Sequence, residues 1–108
     1  MSMIYVAAPY SHPDKAIVAE RMDRFAFKFS ALIEQGHYPV SPLLNHFVSE
    51  KTKPSWPTTW EYWEGYSRVL LSKCDSMIVL KFNGWEESPG VQAEIELANE
   101  LNIPISYI

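Results

Sequence analysis

The sequence predicts one α/β domain built on a parallel sheet of about four strands, with helices covering both faces. Three observations predict it. Short apolar runs alternate with segments of helical spacing along the whole chain. The runs are mostly apolar at successive positions, as strands covered on two sides require. Finally, 108 residues suffice for a single core, so residues 1–108 are read as one domain.

The elements follow in order. "MIYVAAPY" (3–10) is an apolar run ending near Pro9 and reads as a buried strand. "SHPDK" then marks a helix start, with Ser11 able to cap, Pro13 suited to the first turn and Asp14 complementing the helix dipole. Ile17, Val18, Met22, Phe25, Phe29, Leu32 and Ile33 keep helical spacing until Gly36, a C-terminal stop. "HYPVS" (37–41) reads as a second short strand. Residues 42–59 carry Pro42, Pro54 and Pro57 and no sustained period, so they read as a long loop of the kind that often serves as a lid or binding loop. A second helix is expected over "TTWEYWEGYSRVLLSKC", starting near Thr58 or Thr59, although Gly65 weakens it. "DSMIVLKF" (75–82) is the clearest strand; a third helix starts at Ser88, and "IPISYI" (103–108) closes the sheet.

Strands alternating with helices imply right-handed crossovers and a Rossmann-like (flavodoxin-like) three-layer sandwich. Ligands of such sheets bind outside the carboxyl ends of the strands, where the strand order switches. The loops after Ala8, Ser41 and Phe82, and the start of the third helix, all belong to that edge.

Composition narrows the function. Hydrophobic content of 47% and charged content of 20% are ordinary for a soluble globular protein. A net charge of −4 argues against long nucleic acid, whose binding rests on phosphate neutralisation, but not against one small nucleotide. Cys74 is the lone cysteine, which excludes an internal disulfide and fits a reducing compartment. No signal-peptide pattern opens the chain, and no apolar run approaches the roughly 20 residues of a membrane span. A cytoplasmic protein without membrane contact is expected.

One acidic residue breaks the pattern of the third helix. At 100° per residue, Val91, Ile95, Ala98, Leu97 and Leu101 form an apolar arc, and Gln92, Glu96, Asn99 and Glu100 a polar one. Glu94 falls inside the apolar arc, two turns into the helix and too deep to cap it. Such a residue is either a boundary carboxylate paired with a base, or a desolvated carboxylate facing the ligand crevice with a pKa suited to nucleophilic or acid–base work. Before it, Ser88, Pro89 and Gly90 form a small-residue helix entry. This is either an ordinary serine cap or an anion site in which Gly90 lets a ligand approach the backbone. His12, His37, His46 and Cys74 have no metal-site spacing, and neither a Walker loop nor GxGxxG is present. Trp56, Trp60, Trp63 and Trp85 suit packing more than base stacking.

Taken together, "IYVAAPYS", "CDSMIVL" and "GWEESPGVQAEIELA", with "SPLLNH" between the first two, resemble the nucleoside 2-deoxyribosyltransferase-like superfamily over nearly the whole chain. The match is closest to a small bacterial and phage branch related to the 2'-deoxynucleoside 5'-monophosphate N-hydrolases. The resemblance implies that Glu94 attacks the anomeric carbon and that Tyr5 orients it. It implies that Ser88 and Gly90 hold a 5'-phosphate, and that Ala8, Tyr10 and Ser11 border the ligand after the first strand. The family's leaving-base aspartate falls at Ser67, which supplies no carboxylate. The chain also stops at Ile108, where longer members continue and lend a segment to a neighbour's site. The expected function is therefore an N-glycosidase acting on a small nucleoside or nucleotide, needing neither metal nor organic cofactor and assembling as a homodimer or larger homo-oligomer. A noncatalytic nucleotide-binding module and a deoxyribosyltransferase are the alternatives.

Overall fold

The structure, a computed structural model, describes residues 2–53, 55–57 and 59–108. In chain order the elements are β1 (Met3–Ala7), α1 (Lys15–Glu34), β2 (Tyr38–Val40), α2 (Leu43–Thr52), α3 (Trp60–Ser72), β3 (Ser76–Val79), α4 (Pro89–Glu100) and β4 (Ile105–Tyr107). The strands form one all-parallel sheet in the order β2-β1-β3-β4. This is the predicted α/β, flavodoxin-like arrangement. The order reverses between β1 and β3, so the crevice at their carboxyl ends is where ligands of such sheets bind. Tyr5 pairs with Met77 and Ala7 with Val79 across that junction.

Alternation along β1 decides what each helical layer meets. Ile4, Val6 and Ala8 point to one face, where they pack with Phe25 and Leu32 of α1 and with Leu43 at the start of α2. Tyr5 and Ala7 point to the other, among Leu71 of α3 and Val91, Leu97 and Ala98 of α4. The one polar side chain of β1 is thereby directed at the layer that carries Glu94.

The ends of α1 follow local chemistry. Its cap is Asp14, whose carboxylate accepts from Ala16 N at 2.9 Å. That places the start three residues beyond the Ser11 cap expected from sequence, because the aspartate already satisfies a first-turn N–H. At the other end Gly36 takes φ +89°, and the bonds His37 N to Leu32 O and Gly36 N to Ile33 O close a Schellman turn.

Residues 42–59 depart most from expectation, since ten of them form α2 (Leu43–Thr52). The residues α2 buries are Leu43, His46 and Ser49, while Leu44, Phe47 and Val48 are exposed. Two of its three inward residues are polar and its apolar ones other than Leu43 face out, so no hydrophobic period marks it. Of the two expected starts for α3, Thr59 is the cap; Thr58 lies outside the described residues, as does Pro54 of the predicted loop. No described helix is long and apolar enough to cross a membrane.

Candidate active site

Glu94 and Tyr5 meet beneath the crevice. The Tyr5 hydroxyl donates to Glu94 Oε2, with Tyr5 fully buried and Glu94 7% exposed. Of the two readings of Glu94, the base-paired boundary carboxylate does not hold: its partner is a phenol, not a cation. Burial pushes its carboxyl up to about 8, with the Tyr5 hydrogen bond pulling the other way. The Tyr5 hydroxyl is held far above its usual range by burial first and by the Glu94 charge second.

Above this pair opens a cleft of about 560 Å³. Its wall includes Glu94 and every residue that the sequence marked for substrate: Ala8, Tyr10 and Ser11 from the loop after β1, Ser67 from α3, and Ser88 and Gly90 at the start of α4. Tyr5 is not on the wall; it supports Glu94 from behind. Ser67 reaches the floor with only 1% of its surface exposed.

The entry to α4 combines both readings made of it. Ser88 is a true cap, its hydroxyl accepting from Val91 N at 3.3 Å, while Pro89 has no N–H to satisfy. Gln92 N bonds Ser88 O, which among the described residues leaves the Gly90 N–H as the open donor of the first turn. A Cβ on Gly90 would meet nothing closer than Ser88 Oγ at 4.0 Å, so the space above it belongs to the cleft.

Sequence reasoning missed the wall contributed by α2. His46 stacks on Tyr10 with ring centroids 4.4 Å apart and 13° between planes, and meets the edge of Trp63 at 5.7 Å. Among the described residues its Nδ1 is buried without a hydrogen-bond partner. A proton there would be stranded, so the neutral ring carries it on Nε2. Burial lowers the pKa of His46, which keeps it a neutral donor rather than a charge. Trp60, Trp63 and Glu61 of α3 complete this side. The signal was the histidine in "SPLLNH", hidden by the absent period of α2. Among the described residues no three His, Cys, Asp or Glu side chains cluster as metal ligands would.

Residues 2–108 match a family described as a domain of unknown function, DUF1937. The chain belongs to the DUF1937 family. No curated protein matches it. In this DUF1937 domain, then, the cleft geometry must carry the argument for function: a buried carboxyl held by a phenol, an open helix N-terminus beside it, and an aromatic wall opposite.

Proposed function

We propose that this DUF1937 domain is an N-glycosidase that cleaves the base–sugar bond of a small nucleoside or 5'-monophosphate through Glu94. The observation that supports it best is the buried Tyr5–Glu94 hydrogen bond under a cleft lined by Ser88 and Gly90. The resemblance of "IYVAAPYS" and "GWEESPGVQAEIELA" to the deoxyribosyltransferase-like superfamily supports the same assignment of roles.

The chemistry follows from the residues. Ionised Glu94 adds one oxygen to the anomeric carbon as the bond to the base nitrogen breaks, and the base leaves with that electron pair and takes one proton from solvent. Water then adds its oxygen to the same carbon, the bond to the carboxylate breaks, and the proton that water loses returns to solvent. The Tyr5 hydrogen bond fixes which carboxylate oxygen faces the sugar. A phosphate at the Gly90 N–H and Ser88 would contribute binding energy remote from the reacting bond.

A noncatalytic nucleotide-binding module is the second reading, favoured by Ser67: where the superfamily has an acid for the leaving base, this chain offers a hydroxyl 1% exposed. One experiment separates the two. The protein and its Glu94→Gln variant are incubated with a panel of nucleosides and 5'-monophosphates, and free base is read by chromatography. Release by the parent, reduced by several orders of magnitude in a folded Glu94→Gln protein, is the expected result. Saturable binding without release from any compound would leave the binding module.

A further inference from the structure

His46 is the cleft residue that the chemistry proposed above leaves unused. It lines the cleft from α2 with 9% of its surface exposed. Among the described residues its Nδ1 is sealed from solvent without a hydrogen-bond partner, whereas Nε2 is not sealed, so Nε2 is the nitrogen that His46 turns to the cleft. A proton on Nδ1 would be stranded; the neutral ring therefore presents its N–H at Nε2. Two aromatic neighbours hold the ring in place, Tyr10 flat against it at 4.4 Å and Trp63 edge-on at 5.7 Å. We infer that His46 meets the departing base, its Nε2–H donating to a ring nitrogen or carbonyl oxygen of that base as the glycosidic bond breaks. The timing rests on the N-glycosidase reading; the contact itself requires only that a nucleotide bind.

Stereochemistry puts the base on this wall. A carboxylate attacking the anomeric carbon approaches opposite the bond that breaks, so the base points away from Glu94. A phosphate at Gly90 takes the α4 end of the cleft, which leaves the wall built by α2 and the start of α3. There the indole N–H of Trp63 is already given to Pro57 O at 2.8 Å, and the side chains of Thr59 and Glu61 are exposed. His46 combines burial with an uncommitted N–H.

The gain comes in the transition state. As the bond breaks, its electron pair moves onto the base, and a donor fixed in a partly desolvated wall binds more strongly as that charge appears. The base still takes its proton from solvent, because a neutral imidazole donates a hydrogen bond without giving up its proton. His46 thereby does part of what a carboxylic acid at position 67 would do.

Two measurements test this. The first is nitrogen-15 NMR of labelled histidine in Glu94→Gln, which leaves a nucleotide intact. The chain has three histidines, so replacing His12 and His37 by Gln identifies the His46 signals without altering His46. The 5'-monophosphates of the panel should shift the Nε2 signal, and ribose 5-phosphate, which has no base, should not. The second compares leaving groups. Guanine departs as an anion, whereas 7-methylguanine departs neutral from a substrate already positively charged; among pyrimidines, thymine is the poorer leaving anion and 5-fluorouracil the better. His46→Phe keeps an aromatic ring against Tyr10 and Trp63 but removes the donor. Release of guanine or thymine should fall about 10²-fold, and release of the activated partner base far less. His46→Gln, which retains an N–H, should recover part of the loss. An Nε2 signal unmoved by every nucleotide, or moved equally by ribose 5-phosphate, overturns the proposal, as does an equal loss on both leaving groups. A base-dependent shift without base release from any compound would remove the glycosidase reading and leave the contact between His46 and the base standing.

Discussion

Glu94 is the residue on which sequence, burial and chemistry bear together. Its carboxyl has an ordinary value of 4.5 and is raised to about 8 in the folded protein, chiefly by burial. Between those two values the folded chain holds a proton that the unfolded chain has released, so stability falls as pH rises through that window and levels above it. Glu94→Gln, neutral at every pH, should flatten that slope and be more stable than the parent at pH 9. Urea unfolding at pH 5 and pH 9 checks it, and equal pH dependence in both proteins would show that Glu94 is not the buried titrating group. Activity should run the other way. If the ionised form attacks, kcat/KM rises about tenfold per pH unit below pH 8 and levels off above, reporting the free protein. This residue was legible in the sequence because it breaks a strict pattern: a helix that sorts every other charge outward placed one carboxylate inward. The burial of Ser67 was not legible in the same way. Its position on α3 could be counted, but that it lies 1% exposed against the same cleft as Glu94 depends on how α3 lies against the sheet.

At the scale of elements, the start of α4 and the whole of α2 make opposite lessons. The α4 entry announces itself through local chemistry, since a serine cap, a proline without an N–H and a glycine have few other uses together. Its consequence is testable. Gly90→Ala fits the fold, because the added Cβ would find only Ser88 Oγ at 4.0 Å, but it fills space beside the open N–H. The parent should bind 5'-monophosphates about tenfold or more tightly than the matching nucleosides, since a charge-assisted hydrogen bond is worth roughly 1.5–3 kcal/mol. Gly90→Ala should remove most of that preference without lowering the unfolding temperature by more than a few degrees. Isothermal titration with paired ligands measures the first and a thermal melt the second; an unchanged preference would make "SPG" an ordinary cap. In α2, by contrast, nothing local signals the helix. Its inward side carries His46, which lines the cleft, and Ser49, whose hydroxyl donates to His46 O, so the element that contributes the aromatic stack is the one that hydrophobic patterning overlooks.

On the scale of the molecule, the cleft exists only because two loops from distant parts of the chain are held at a fixed separation. The loop after β1 brings Tyr10 and Ser11, and the segment after β3 leads to Ser88 and Gly90. Strand order alone predicts that these loops are neighbours at the β1–β3 junction, which is why the site's location was readable before its geometry. What fixes their spacing was not readable, because it is a side chain of α1. Arg21 donates to Ser11 O through Nη1 and to Asn83 O through Nη2, each at 2.9 Å. Gly84 makes room for it: with φ +91° and a would-be Cβ only 2.6 Å from Arg21 Nη2, any side chain there collides with the clamp. Arg21→Ala removes two hydrogen bonds from a charged donor in a partly exposed setting, so global stability should fall by only about 1–2 kcal/mol. The larger effect belongs to the loops. Amide exchange should accelerate around residues 10–12 and 83–88 while β1 and β3 stay protected, and ligand affinity should drop through faster dissociation. Gly84→Ala should reproduce the loop effect from the other side, by displacing the guanidinium rather than deleting it, with added backbone strain. Because both substitutions act on one contact, the double variant should cost less than the sum of the two. Additive losses, or exchange that speeds up uniformly across the sheet, would mean that the spacing of the two loops is set elsewhere in the fold.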